Sequence, residues 1–349
     1  MNENAIDVYS EDNKKEYEEF LFKIPESNIY YTLEWKNILE EYYGFHPFYL
    51  IARDKTGEIR AILPLFYLKN LLGARLDSLP LSIYGGILGD SCYVKALLKK
   101  AFEIKKKMRC SCLTIRQLPS KHEMTLIKMG MGKQEKKWRQ FIEIKPPDIL
   151  WKKIKKSNRY MIRKAENFGV EIKLLKKKEE IKKFYDLELL TGKRKGFPIH
   201  SLDFFEKMWD KMFFKGLLRI FMVFHNEKPI ASALLLPFNK VAVCRSINSE
   251  EVSKIPGMNN FLVWKMIEWC YKKGYSIFDL GATDKNNKGL FFFKSTFHTV
   301  NLPFSYYYMP KSTITLDSTP VYVVGKKILK TMPIGIFRYA MPYIEKWFC

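Results

Sequence analysis

The strongest constraint on the fold is an order of apolar segments and turns that occurs twice in the chain. Residues 48–68 (FYLIARDKTGEIRAILPLFYL) and 218–238 (LRIFMVFHNEKPIASALLLPF) each read as two apolar strands around a polar turn, the pattern of a β-hairpin. A helix and a strand follow each hairpin, at residues 97–116 and 261–280. The hairpins begin 170 positions apart and the helix–strand units 164. Chance recurrence of short apolar runs is the alternative to two similar α/β modules in tandem.

Length and turn residues divide the chain into three parts. With 349 residues it is long enough for two domains, and Pro146-Pro147 marks a break between them. We therefore predict a first domain at residues 1–147 and a second at residues 148–310, each a mixed central sheet flanked by helices. Residues 311–349 are predicted to form a basic, aromatic tail broken by prolines.

A basic segment follows the break. Apolar side chains at helical spacing from Trp151 to Phe168 predict one helix that Gly169 closes. Residues 133–183 hold 18 Lys and Arg against 7 Asp and Glu, a net charge of +11 in a chain of +23. Solvated helix faces usually mix both signs. The one-sided charge therefore favours a phosphate backbone as partner, with a solvated face and linker as the alternative.

Composition excludes several classes of protein. The chain is 47% apolar, which excludes global disorder. Its six Cys and five His show no zinc-ligand spacing, so we expect no bound metal. We expect the cysteines to be reduced thiols in a cytoplasmic protein. The polar N-terminal segment is not a signal peptide, and no run of 18 apolar residues occurs. Without a nucleophile motif or a nucleotide fingerprint, catalysis would depend on positioning and on stabilising charge.

Three short clusters are candidates for a site. Residues 191–198 form a cationic segment bounded by glycines. This segment could clamp an anion, or it could be an ordinary basic loop. Residues 255–260 precede a helix, where backbone amides bind phosphate, although capping by Asn259 or Asn260 is the commoner explanation.

The third cluster joins a strand ending in Phe278-Asp279-Leu280-Gly281 to an aromatic helix that carries Lys294. A lone cation in such surroundings is costly unless it has a partner or a function. Lys294 could pair with Asp279, or it could face a cleft and stabilise a developing oxyanion. The sequence leaves both interpretations open.

The order of these motifs resembles that of the FemABX-type aminoacyl-tRNA-dependent peptidyltransferases and of the related BioF2-like acyltransferases. The resemblance covers roughly residues 28–310 and is most specific at its DLG…FK end. It is carried, in chain order, by Trp35, Asn158-Arg159-Tyr160, Lys164-Ala165, Gly169-Val170, Thr191…Arg194…Gly196-Phe197, Phe278–Gly281 and Phe293-Lys294. It implies two tandem GNAT-like domains and the transfer of an aminoacyl group from aminoacyl-tRNA to an amine of a peptide-bearing cell-wall or envelope precursor.

The resemblance also implies roles for single residues. Phe293 and Lys294 would be catalytic at the aminoacyl ester, and Arg194 would bind acidic groups of the acceptor. Further substrate contacts are expected from Thr191, Lys36, Trp35, Asp279 and Asn259. The tRNA backbone would lie on Lys152, Lys155, Lys156, Arg159 and Arg163. No cofactor is expected besides the donor substrate, and we expect a monomer.

Two alternatives remain for the donor and the activity. The same fold could use acyl-CoA, with residues 256–260 around its pyrophosphate, in envelope or exopolysaccharide synthesis. The chain could also be a non-catalytic scaffold that binds nucleic acid or membrane through its charge. The tail mixes Phe337, Tyr339, Tyr343, Trp347 and Phe348 with basic residues. This pattern predicts either peripheral contact with the inner face of the plasma membrane or a helix docked on the second module.

Overall fold

A computed structural model describes residues 6–70, 73–118, 122–250, 255–311 and 320–348 of the chain. The strands are, in chain order, β1 (Ile6–Val8), β2 (His46–Arg53), β3 (Ile59–Asn70), β4 (Gly73–Ser78), β5 (Leu88–Gly89), β6 (Cys112–Gln117), β7 (Gly132–Glu143), β8 (Glu171–Leu174), β9 (Arg219–His225), β10 (Lys228–Phe238), β11 (Val241–Ser249), β12 (Ile277–Asp284) and β13 (Val300–Met309). The helices are α1 (Lys14–Lys23), α2 (Leu33–Tyr43), α3 (Val94–Lys107), α4 (Glu123–Lys128), α5 (Pro147–Lys153), α6 (Lys156–Asn167), α7 (Ile181–Lys195), α8 (Leu202–Met212), α9 (Met258–Lys272), α10 (Lys288–Ser295), α11 (Pro320–Thr331) and α12 (Ile334–Phe348).

The strands form one mixed sheet in the order β1-β2-β3-β4-β6-β13-β7-β12-β11-β10-β9-β8, with β5 beside β3. Both predicted hairpins are present, as β2–β3 and as β9–β10. Each is followed by a further antiparallel strand, a helix and a parallel strand: β4-α3-β6 in one half and β11-α9-β12 in the other. The predicted mixed α/β fold with two similar halves is thereby confirmed.

The two halves exchange a strand at the centre of the sheet. β7 pairs with β12 of the second half, and β13 pairs with β6 of the first. β7 and β13 also pair with each other, in a register that runs from Val300 opposite Phe141 to Tyr308 opposite Gly132. The separate central sheets expected for the two modules are therefore joined into one. The division at residue 147 stays a prediction.

The basic segment forms two helices instead of the predicted single one. Ile154 and Lys155 have extended ψ angles of 149° and 143°, which end α5 and start α6. Arg159 stabilises this break, because its Nη1 lies 3.0, 3.1 and 2.8 Å from the carbonyl oxygens of Trp151, Lys152 and Ile154. The apolar stripe survives the break because both helices pack against α9.

The tail packs on the body of the protein. Leu329, Phe337 and Met341 are buried in a core that also contains residues of α2, α7 and α8. Glu345 of α12 is buried as well and accepts hydrogen bonds from Tyr42 and Tyr43 of α2. Docking was one of the two predictions for this segment. Within the described residues, none of the helices combines the length and the apolar character that crossing a bilayer requires.

Candidate active site

Lys294 lies at the end of α10 with only 7% of its surface exposed. Its Nζ donates to the carbonyl oxygens of Gly281 and Ala282, at 3.3 and 3.2 Å. Burial lowers the pKa of this ammonium group from 10.5 to about 8. An ammonium group has three N–H donors, so two carbonyl acceptors leave one N–H for a ligand.

Asp279 is completely buried beneath the loop that holds Lys294. Its Oδ2 accepts from Tyr84 Oη and from Arg139 Nε, each at 2.6 Å. Its Oδ1 accepts from the Gly281 backbone N–H at 2.7 Å. Gly281 has a φ of +78°, which a side chain would disfavour. Asp279 therefore fixes the turn whose carbonyls hold Lys294, and it is not hydrogen-bonded to the ammonium group itself.

A cleft with a volume of about 600 Å³ opens beside Lys294. Its walls come mainly from the end of α7 and the following loop, from β11, from β12 and from α10. Among the described residues, the charged side chains that line it are Lys137, Lys195, Arg245, Lys294 and Glu188. A volume of this size accommodates an aminoacyl or acyl group together with an acceptor side chain.

Four of the predicted site residues line this cleft together: Thr191, Asn259, Phe293 and Lys294. Thr191 Oγ1 accepts from the Ser249 backbone N–H at 3.3 Å. The Oδ1 atom of Asn259 is buried and has no hydrogen-bond partner among the described residues. An unpaired buried acceptor beside a cleft is available to a ligand N–H or O–H donor.

The other predicted substrate residues lie outside the lining. Arg194 is half-buried, and its Nη1 donates to the Ser249 carbonyl at 3.1 Å. Lys36 is nearly buried and forms an ion pair with Glu40 at 3.0 Å. Trp35 is fully buried in the core. The functions of all these residues stay predictions.

Arg245 is a cleft residue that the sequence did not single out. Its guanidinium lies 5.1 Å from the centre of the Trp35 ring, so Trp35 forms a wall behind it. Nη1 donates to the Leu81 carbonyl at 3.0 Å, and Nη2 lies 2.7 Å from His200 Nε2. An arginine within the apolar strand VAVCRSINS is the signal that could have identified it.

A buried chain of polar groups connects Arg245 to the tail. His200 Nδ1 lies 2.9 Å from Glu345 Oε2 and 2.6 Å from Tyr43 Oη. Burial lowers the pKa of His200, which favours the neutral ring. A neutral His200 can donate from Nδ1 to Glu345 while Nε2 accepts from Arg245. The C-terminal helix thus supports one wall of the cleft.

The basic face predicted for tRNA lies on α5, α6 and the turn between them. Lys152, Lys155, Lys156 and Arg163 are exposed, whereas Arg159 is half-buried and bonded to the end of α5. Lys155 Nζ lies 4.4 Å from the centre of the Phe292 ring on α10. Through Lys155, this basic face therefore contacts the helix that carries Phe293 and Lys294.

Comparisons with known proteins agree with this fold. Residues 91–223 match the FemAB family model. The fold is similar to the crystal structure of FemX, with a TM-score of 0.70 and 16% identity over 86% of this chain and 96% of that one. L-PGS from Bacillus licheniformis gives a TM-score of 0.57 and 14% identity over 85% and 96% of the two chains. A tandem GNAT protein from the clavulanic acid biosynthesis pathway gives a TM-score of 0.57 and 11% identity over 89% of this chain and 99% of that one. No curated protein matches the sequence.

Proposed function

Because residues 91–223 match the FemAB family model and the fold is similar to that of FemX, we propose that this chain is a FemABX-type transferase that moves an aminoacyl group from aminoacyl-tRNA to an amine of a peptide-bearing cell-wall or envelope precursor. The observation that supports this most directly is the nearly buried ammonium group of Lys294 beside a cleft. An activated carbonyl bound in that cleft would develop negative charge within reach of a fixed cation. No cofactor besides the donor substrate takes part in the proposed reaction.

Transfer proceeds by direct attack. The neutral acceptor amine adds to the carbonyl carbon of the aminoacyl ester, and the carbonyl oxygen becomes an oxyanion. The free N–H of Lys294 donates to this oxyanion, while Phe293 packs against the aminoacyl group. When this tetrahedral intermediate collapses, the new C–N bond is kept and the bond from the carbonyl carbon to the ribose oxygen breaks. A single preorganised donor of this kind contributes roughly 3 kcal/mol to transition-state stabilisation.

The donor tRNA lies on the exposed cations of α5 and α6. Lys152, Lys155, Lys156 and Arg163 offer charge without a carboxylate partner within ion-pair distance in the described part of the chain. Lys155 contacts Phe292, so a phosphate backbone on this face would bring its acceptor end to α10. Arg159 acts mainly by holding the two helices at their break.

The acceptor occupies the wall opposite α10. Thr191 and Asn259 would contact it directly, and Arg194 would bind its acidic groups from the edge of the cleft. Trp35 and Asp279 would act from behind the surface, by supporting Arg245 and the Gly281 turn. Lys36 would reach an acceptor only after leaving its ion pair with Glu40.

Acyl-CoA is the competing donor, and the start of α9 weighs against it. A Cβ added to Gly257 would lie 2.0 Å from the Met161 carbonyl oxygen, so α6 covers this helix end closely. Asn260 Nδ2 donates to Asn158 Oδ1 at 2.7 Å, which joins the same two helices. Backbone amides packed in this way offer less access to a pyrophosphate than an open, glycine-rich turn.

The tail also supports a location at the inner face of the plasma membrane. Its docked helices leave an outer face with exposed apolar and aromatic side chains beside Lys326, Lys327 and Lys330: Val324, Ile328, Ile336, Tyr339 and Tyr343. Such a face suits an anionic lipid surface. The side chains of Trp347 and Phe348 lie outside the described part of the structure. Vesicles with anionic lipid should retain the protein, and I336E should weaken that retention.

A reconstituted transfer assay tests the function. Charged tRNA and envelope precursors from a strain lacking the gene are incubated with the protein, and the precursors are weighed by mass spectrometry. We expect a mass gain of one amino-acid residue that disappears after ribonuclease treatment. K294A should slow the gain by about 100-fold or more, whereas K288A, on the exposed first turn of α10, should not. A gain that needs acyl-CoA instead of tRNA would assign the competing donor.

A further inference from the structure

Glu188 is the one carboxylate among the described residues that line the cleft, against four cations: Lys137, Lys195, Arg245 and Lys294. It lies on α7, one turn before Thr191. An amine that enters such a cleft as an ammonium ion is repelled by the cations. A carboxylate is the group in this lining that attracts it.

A buried amide holds the Glu188 carboxylate from one side. Asn248 Nδ2 donates to Glu188 Oε2 at 2.5 Å, and Asn248 itself is only 2% exposed. The same Nδ2 lies 3.4 Å from Ser232 Oγ and from Ser246 Oγ. The second oxygen, Oε1, has no hydrogen-bond or ion-pair partner within the described residues. One oxygen is thus fixed and the other is free to meet a ligand.

We propose that Glu188 is the amine-binding and proton-accepting residue of this cleft. The inference rests on the proposed function and adds the class of ligand that this wall selects: a primary amine presented as an ammonium ion. Oε1 accepts a charge-assisted hydrogen bond from the ammonium group. The acceptor nitrogen is thereby held in the same cleft as Lys294.

The proton balance of the transfer gives Glu188 its second role. The bound ammonium ion first releases one proton to solvent, which leaves a neutral amine. As the nitrogen of this amine forms its bond to the carbonyl carbon, it becomes positively charged and must lose a second proton. Glu188 accepts that proton. The tetrahedral intermediate then collapses, the bond from carbon to the ribose oxygen breaks, and the same proton passes to the departing oxygen. The products are an amide and a free ribose hydroxyl, with Glu188 returned to its carboxylate form.

Binding of two small probes tests the amine site without any donor. Nα-acetyl-lysine amide carries a free side-chain amine, and Nα,Nε-diacetyl-lysine amide has that amine blocked. Titrations followed by NMR should show wild-type protein binding the free amine at least tenfold more tightly, the effect of one charged hydrogen bond. E188Q keeps an oxygen for Asn248, so it should fold normally and lose the preference. E179Q, on an exposed residue shortly before α7, should keep it.

Two results would overturn the proposal. One is equal binding of both probes by wild-type protein, and the other is an unchanged preference in E188Q. In the transfer assay, E188Q should lower kcat by about 100-fold or more and leave KM for the aminoacyl-tRNA unchanged, a split that a merely structural role would not produce. If the amine preference holds but no tRNA-dependent transfer occurs, the proposed function fails and the amine site stands. If transfer occurs without the preference, only the assignment of Glu188 fails.

Discussion

Arg139 Nε on β7 lies 2.6 Å from Asp279 Oδ2 on β12, and both side chains are buried. The guanidinium also lies 4.7 Å from the centre of the Tyr84 ring, and Tyr84 donates to the same carboxylate oxygen. This ion pair joins the two halves of the chain directly under the Gly281 turn. The position of Lys294 therefore depends on a contact between residues that are far apart in the sequence.

Removal of Asp279 should destabilise the whole protein. D279A leaves the Arg139 guanidinium buried without its partner, a change that costs about 3–5 kcal/mol in comparable sites. Urea unfolding followed by circular dichroism measures the loss. D284A, at the exposed end of the same strand, should cost far less. A loss below about 1 kcal/mol in D279A would show that water or a rearrangement satisfies Arg139.

The ratio of the transfer rate of the wild-type protein to that of K294A should fall as the pH rises through about 8, because deprotonation of the acceptor amine affects both proteins equally. Oxyanion stabilisation needs the protonated form of Lys294, and burial lowers its pKa to about 8. Single-turnover rates between pH 6.5 and 9.5, corrected for spontaneous ester hydrolysis, give the profile. A ratio that instead rises through this range would contradict the oxyanion role, because it would mean that the neutral form of Lys294 is the active one.

Replacement of Lys294 by methionine should stabilise the protein while abolishing transfer. Lys294 binds its proton more weakly in the folded protein than in the unfolded chain, so its burial lowers the free energy of unfolding. This penalty is fully present below pH 8. Above that pH the penalty shrinks, and it vanishes near the ordinary pKa of 10.5. K294M should therefore gain roughly 2 kcal/mol at pH 7 and less at pH 9.5. Thermal unfolding at both pH values checks the sign, and a less stable variant at pH 7 contradicts it.

The basic residues of α5 and α6 should separate into two functional groups. A triple variant, K152A/K155A/K156A, should bind tRNA more weakly and reduce the slope of log Kd against log salt by about 2 to 3. R159A should instead lower stability, because it removes three hydrogen bonds to backbone carbonyls. Filter binding at several salt concentrations and thermal melts distinguish the two. An unchanged salt slope in the triple variant would exclude this face as the tRNA site.

Because the tail is docked on the body of the protein, substitutions at adjacent residues of α12 should differ sharply in their effect on stability. Phe337 is fully buried, while Ile336 is 56% exposed. F337A should cost about 3–5 kcal/mol of stability, and I336A should cost close to none. Chemical unfolding compares them directly. Equal, small effects would mean that α12 is not held against the body in solution.

Local patterns explain why much of the fold was predictable. The two hairpins, α3, α9 and the strands after them depend on short-range alternation and helical spacing, which the sequence displays directly. The break between α5 and α6 was missed because the apolar stripe continues across it. Its cause is the side chain of Arg159 folding back onto the end of α5, which a periodicity does not reveal.

The site was predictable only in part, for a related reason. Lys294 and Phe293 stand in a recognisable local motif, as do Thr191 and Asn259, and these four line one cleft. The partners of Asp279 come from other strands and loops, so no spacing in the sequence indicates them. Arg245 and Glu188 were missed because each is a single charged residue whose position in the cleft depends on how distant elements pack.

The exchange of β7 and β13 also has a consequence for synthesis of the chain on the ribosome. β6 and β7 each have an edge that, within the described parts of the chain, only residues 300–309 cover. Those edges stay unpaired until residues 300–309 have emerged, and exposed edges of this kind promote aggregation. Termination of translation before this point leaves a sheet that cannot close, so the nascent protein depends on protection until its last strand arrives.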